Sequence, residues 1–128
     1  MRASEKNGLD PHLIAALIWW ESGGNPLAYS KDGAVGLMQV MPRDGLAASA
    51  QCINGPCFAD RPSIKELEVP GFNIDVGTEY LVYRIASAGS LRSGLKGYGP
   101  KDIGYTYADI ILDLYKKVKQ IAFDEVGT

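Results

Sequence analysis

Apolar positions in this chain recur at helical spacing far more often than in alternation. The first periodic segment opens at Asp10-Pro11, where Asp10 is placed to cap free backbone N–H groups and proline suits the first helical position. Leu13, Ile14, Ala16, Leu17, Ile18 and Trp20 then cover nearly the whole circumference, which predicts a helix buried on most sides. Gly23-Gly24 and Pro26 stop it. From Asn25 to Pro42 the chain is rich in Gly, Ser and Asn with short apolar clusters, and reads as irregular structure with room for a short hairpin. Residues 43–62 read as a long connection carrying Cys52 and Cys57.

Ser63-Ile64-Lys65-Glu66 has capping-box spacing and predicts a short helix ending before Pro70. A longer helix is expected from about Asn73 to Ala88, with Ile74, Gly77, Tyr80, Leu81, Ile85 and Ala88 on one face. Ser90 caps another, which ends before Gly97-Tyr98-Gly99-Pro100. The last runs from about Asp102 to Ala122 and turns Ile103, Tyr107, Ile110, Ile111, Leu114, Val118 and Ile121 inward. Lys116, Lys117 and Lys119 near its end complement the helix dipole. The pattern predicts a mostly α fold: a single helical domain over residues 1–128 with little or no β-sheet.

Composition narrows the functional classes. The net charge is -2, so no broad basic field exists to attract nucleic acid or anionic lipid, and no nucleic-acid partner is expected. The longest apolar run, Leu13 to Trp20, ends in Glu21 and is far too short for a transmembrane segment. The N-terminus lacks the basic head, apolar stretch and small-residue cleavage site of an export signal. Export by another route, or a trimmed mature form, would both fit.

Cys52 and Cys57 flank Ile53-Asn54-Gly55-Pro56, a turn signal that would bring the two sulfurs within bonding range. A disulfide is favoured, with two free thiols as the alternative. Zinc would need more ligands than two cysteines, and the single histidine, His12, lies forty residues away, so no metal site and no cofactor are expected.

Glu21 is the strongest candidate for chemistry. It ends an apolar helix, follows Trp19 and Trp20 directly, and sits at the negative end of the helix dipole. Aromatic burial and the dipole both disfavour a charged carboxylate, which is what a general acid near neutral pH requires. A solvated, inert glutamate at a helix end is the competing reading. The residues that follow tip the balance. Glu21-Ser22-Gly23-Gly24-Asn25-Pro26, then Ala28, Ser30, Gly33-Ala34 and Gly36-Leu37-Met38-Gln39-Val40-Met41-Pro42 resemble the soluble lytic transglycosylase family of murein-cleaving enzymes. Weaker resemblance continues through Phe72-Asn73-Ile74, Gly77 and Tyr80-Leu81, and reaches Tyr107 with Ile110 and Ile111.

The resemblance implies a goose-lysozyme-like helical domain with a cleft for peptidoglycan glycan strands; a monomer acting outside the cytoplasm is expected. It puts the catalytic glutamate on Glu21 and substrate contacts on Ser30, Gly36, Met38, Gln39, Met41, Tyr98 and Tyr107. A hydroxyl and an amide fix sugar polar groups, while thioethers and aromatic rings lie against apolar sugar faces. Core packing is the alternative role for Met38, Met41 and Tyr107, and a turn hydroxyl for Ser30. One place departs from the family pattern: where Ala-Tyr-Asn is usual, this chain reads Gly97-Tyr98-Gly99-Pro100.

Most glycosidases use two carboxylates. Asp32, Asp44, Glu66 and Glu79 all lie in polar stretches, so a single-carboxylate route fits best, as the resemblance implies. Glu21 would protonate the glycosidic oxygen and then, as a base, take the proton of the C6 hydroxyl as a 1,6-anhydro ring closes. A hydrolytic lysozyme, with Asp32 or Asp44 positioning water, and a catalytically idle glycan-binding module are the alternatives.

Overall fold

The computed structural model describes residues 8–100 and 102–127, with side chains up to Asp124. Part of the N-terminal segment examined for an export signal, residues 1–7, lies outside the described residues. Among the described residues the helices are α1 (Pro11–Ser22), α2 (Ile64–Leu67), α3 (Pro70–Ala88), α4 (Leu91–Tyr98) and α5 (Thr106–Gly127). A 3-10 turn covers Gly45–Ser49, and a two-stranded antiparallel ribbon joins β1 (Gln51–Cys52) to β2 (Gly55–Pro56). The fold is mostly α, as the periodicity predicts. Two compact units divide it, residues 21–77 in one and residues 1–20 with 78–128 in the other.

The unit of residues 1–20 and 78–128 is built from helices. Asp10 caps α1 as expected: its carboxylate accepts the His12 N–H at 2.9 Å, and its carbonyl accepts those of Leu13 and Ile14. Leu13, Ile14, Ala16 and Leu17 are buried, but burial does not extend around the helix. Trp19 is 66% exposed and Trp20 49%, because the last turn of α1 runs out past the apolar core. Ser90 caps α4 by accepting the Ser93 N–H at 3.2 Å. The helix then continues through Gly97 to Tyr98, beyond the predicted end, and the Gly99 N–H still reaches the Leu95 carbonyl at 3.0 Å.

The start of α5 differs most. Asp102 (φ 70°) and Gly104 (φ 59°) are both left-handed, so no right-handed helix can pass through them and α5 begins at Thr106. Ile103 is therefore exposed rather than inward. The helix also runs on to Gly127, which leaves Lys116, Lys117 and Lys119 in its middle, with Lys117 paired to Asp113 at 2.9 Å. Tyr107, Ala108 and Ile111 supply its buried face, while Ile121 stays exposed.

Two glycines let elements approach closely here. A Cβ on Gly94 would lie 2.6 Å from the Ile85 Cα, so α4 packs directly on the α3 backbone. A Cβ on Gly99 would enter the Tyr107 ring. One polar tie joins the ends of the sequence: the Tyr115 hydroxyl donates to Asp10 at 2.7 Å. Burial and this bond push the Tyr115 phenol up to about 12. Burial alone would raise the Asp10 carboxyl, but hydrogen bonds from Tyr115 and His12 outweigh it and hold it below its ordinary value.

The unit of residues 21–77 is built mostly from turns. Ser63 and Glu66 form the full capping box of α2, with Ser63 N–H to Glu66 at 2.9 Å and Glu66 N–H to the Ser63 hydroxyl at 3.2 Å. α3 starts at Pro70 rather than Asn73, since proline at the first helical position gives up an N–H that has no partner anyway. Arg43 holds the 43–62 connection against α2, donating to the Arg61 carbonyl at 3.2 Å and to Glu66 at 3.3 Å. Cys52 and Cys57 are disulfide-bonded across the ribbon, whose turn leaves Ile53 fully solvent-exposed.

Candidate active site

Glu21 occupies the final turn of α1, four residues after Leu17 on the same helix face, and is half-buried. The chain then reverses through Gly23 (φ 63°) and Gly24 (φ 87°), where only glycine adopts two left-handed residues in a row without strain. Side chains lock the turns that follow. The Ser22 hydroxyl accepts the Gly24 N–H at 3.2 Å, and the Asn25 carboxamide oxygen accepts that of Leu27 at 2.9 Å.

Ser30 organises the next turn. Its hydroxyl oxygen accepts the N–H groups of Ala34 (2.9 Å) and Asp32 (3.3 Å), which is the turn-hydroxyl role. Two accepted bonds leave the hydroxyl proton, and among the described residues Ser30 donates it to nothing, so it can still be offered to a sugar oxygen. A ladder of single bridges, Tyr29 with Val35 and Val35 with Val40, then stands where a short hairpin was expected.

The turn between Val35 and Val40 carries most of the Gly36–Pro42 stretch of the resemblance. Gly36 (φ 79°) is glycine for a packing reason: a Cβ there would enter the Asn73 carboxamide and come within 2.7 Å of the Leu67 carbonyl. Gln39 is left-handed too, at φ 51°, which is uncommon for a residue with a side chain. Its carboxamide nitrogen donates to the carbonyls of Ala28 (3.2 Å) and Gly36 (3.0 Å). Both partners are acceptors, so the amide orientation is fixed, and among the described residues its oxygen accepts no bond. A half-buried amide with a fixed, available acceptor is suited to a sugar hydroxyl or acetamido N–H.

The other candidates separate by burial. Met38 is fully buried, its thioether packed where a Gly77 Cβ would sit, so it holds the core position left open for it above. Met41 is half-buried. Tyr98 and Tyr107 belong to the helical unit, Tyr98 half-buried at the end of α4 and Tyr107 buried against Gly99. Among the second carboxylates, Asp44 accepts the Ile64 N–H at 2.9 Å and thereby serves as a local cap, while Asp32 is exposed. Among the described residues no cluster of three or more His, Cys, Asp and Glu is arranged to hold a metal ion.

Sequence reasoning passed over Asn73. It is 0% exposed, accepts the Met38 N–H at 2.8 Å, and donates to the carbonyls of Val35 (2.8 Å) and Leu67 (2.9 Å). Three bonds from one buried amide tie the Gln39 turn to α2 and α3. The available signals were its place in the Phe72-Asn73-Ile74 stretch of the resemblance and at an expected helix start, and neither reports a buried amide with three bonds.

The transglycosylase SLT domain matches residues 1–100 of this chain. An endo-type membrane-bound lytic murein transglycosylase A from Klebsiella pneumoniae is 37% identical over 127 residues, covering 94% of this chain and 59% of that protein. A membrane-bound lytic murein transglycosylase E from Buchnera aphidicola is 41% identical over 80 residues, covering 62% of this chain and 35% of that protein. A second Klebsiella pneumoniae transglycosylase A is 45% identical over 74 residues, covering 58% and 35%. The chain thus spans between about a third and three-fifths of the length of these relatives.

Proposed function

This chain belongs to the transglycosylase SLT domain family, and on that premise we propose that it cleaves the β-1,4 bond between N-acetylmuramic acid and N-acetylglucosamine in peptidoglycan without water. Residues 1–128 act as one catalytic domain, monomeric, outside the cytoplasm and without a cofactor. Glu21 is the general acid that protonates the glycosidic oxygen, while the substrate's own acetamido group stabilises the developing positive charge. The resulting carboxylate then takes the C6 hydroxyl proton, the C6 oxygen bonds to C1, and a 1,6-anhydromuramic end is released. Ser30 offers a hydroxyl proton and Gln39 an amide oxygen to sugar polar groups. Met41 and Tyr98 lie against sugar faces. Gly36 and Met38 shape the turn that carries Gln39, Gly36 by admitting the Asn73 carboxamide and Met38 by filling the core beside Gly77.

The observation that supports this most is the Glu21–Pro42 segment: a half-buried carboxylate at a helix end, followed by turns that, among the described residues, leave the Ser30 hydroxyl proton and the Gln39 amide oxygen available. Mass spectrometry of digested murein tests it. Anhydro products, lighter by one water than reducing-end products, are expected from the wild type, and Glu21→Gln is expected to lower release at least a hundredfold, as loss of a general acid does. Reducing-end sugars alone would instead mean hydrolysis, and equal lysis by the Gln variant would remove Glu21 from the mechanism.

A further inference from the structure

We propose that Asn73 is a positioning residue for this reaction: it sets the place of Gln39 through the Val35–Gln39 turn and touches no substrate itself. The inference rests on the reading of Gln39 as a substrate-binding residue. A left-handed residue other than glycine persists only where its surroundings over-determine it, and at Gln39 (φ 51°) those surroundings are visible. On one side, Val35 and Val40 exchange N–H···O bonds of 2.9 and 3.1 Å. On the other, the Asn73 carboxamide takes the Val35 carbonyl where the turn begins and the Met38 N–H next to Gln39, each at 2.8 Å.

The amide is itself immobile. Its nitrogen faces two carbonyls and its oxygen an N–H, so it cannot flip without losing every bond. The second carbonyl, that of Leu67, closes α2, so the turn is referenced to a helix end rather than to another loop. Gly36 supplies the space, since any side chain there would enter the Asn73 carboxamide. The Gln39 amide is in turn bonded to Ala28 and Gly36. A shift of the turn therefore carries the Gln39 oxygen with it.

A double-mutant cycle on the full chain tests the coupling, read as the rate constant for release of soluble muropeptides from purified murein. Asn73→Asp keeps the shape and the acceptor for Met38 but removes both donors. It is expected to lower kcat/KM about 10- to 100-fold, the range that a misplaced binding group produces. In a Gln39→Ala background the same change is expected to cost less than about threefold, because the group it positions is gone. A residue that merely stabilises the fold would lower both backgrounds by the same factor, and that result overturns the proposal, as would wild-type activity of Asn73→Asp or of Gln39→Ala alone. If Asn73→Asp does not fold at the assay temperature, Asn73→Ser is carried through the same cycle with the same expectation. Glu21→Gln keeps the two readings apart. Wild-type activity of that variant removes the proposed function, whereas an inactive Gln variant beside an additive cycle removes only the role of Asn73.

Discussion

The two units are held together by different physics. In residues 1–20 and 78–128, helices meet through apolar faces, and glycines at 94 and 99 let a backbone or a ring come closer than any side chain allows. In residues 21–77, regular structure is short, and the chain is fixed instead by side-chain amides, hydroxyls and a guanidinium bonded to backbone groups. The contrast follows from what each has to satisfy. A helix pairs its own N–H and C=O groups, so its packing problem is one of volume. A run of turns leaves those groups unpaired, so its problem is to find a partner for each. Ser30 and Gln39 stand on that second kind of scaffold, where a turn can aim a side chain that a helix would fix at a set spacing.

Substitutions that interchange the two problems should hurt most. Asn73→Leu fills nearly the same volume but orphans the Met38 N–H and the carbonyls of Val35 and Leu67, and should cost about 3–4 kcal/mol in a denaturant titration. In the helical unit the counterpart is Gly94→Val, which adds volume where Ile85 leaves none. About 2–3 kcal/mol of overpacking is expected, with activity surviving in the folded fraction. If the asparagine change is the milder of the two, the distinction between units is wrong.

Tyr115→Phe removes the polar tie between α5 and the cap of α1 and should cost about 1 kcal/mol at neutral pH, discounted for its partial exposure. Its pH dependence has two limbs. Asp10 titrates below its ordinary 3.8 when folded, so its contribution is present above that value and lost as pH falls through the folded pKa. Tyr115 is raised from 10.0 to about 12, so its contribution is complete below 10 and lost as pH rises from there to about 12. The wild-type advantage over Tyr115→Phe should therefore be flat between about pH 4 and 10 and shrink on both sides. Ser63→Ala, which removes half of the capping box, should cost about 1 kcal/mol or slightly less, measured as a small drop in Tm with unchanged activity.

Local chemistry was readable and tertiary chemistry was not. Asp10, Ser63 and Ser90 announced three helix starts because a cap acts on N–H groups two or three residues away. The start of α5 was placed four residues early because nothing in the letters says that Asp102 is left-handed. The lysines at 116, 117 and 119 looked terminal only because α5 was expected to stop sooner. The motif from Glu21 to Pro42 named the candidate site, yet the bonds that fix it join Asn73 to residues 35 and 38 positions earlier, and no periodicity reports such a pairing. The exposure of Trp20 was equally unreadable, since helical periodicity counts it among the apolar positions without showing where the core ends.

Gly99 has a consequence for anyone redesigning this protein. Its φ of -80° lies in a region open to every residue, yet the Tyr107 ring occupies the space where a first side-chain carbon would go. The asparagine of the Ala-Tyr-Asn pattern therefore cannot be grafted onto position 99 alone. A smaller residue at 107 would have to come with it, and the two positions should be expected to vary as a linked pair, each setting the size the other tolerates.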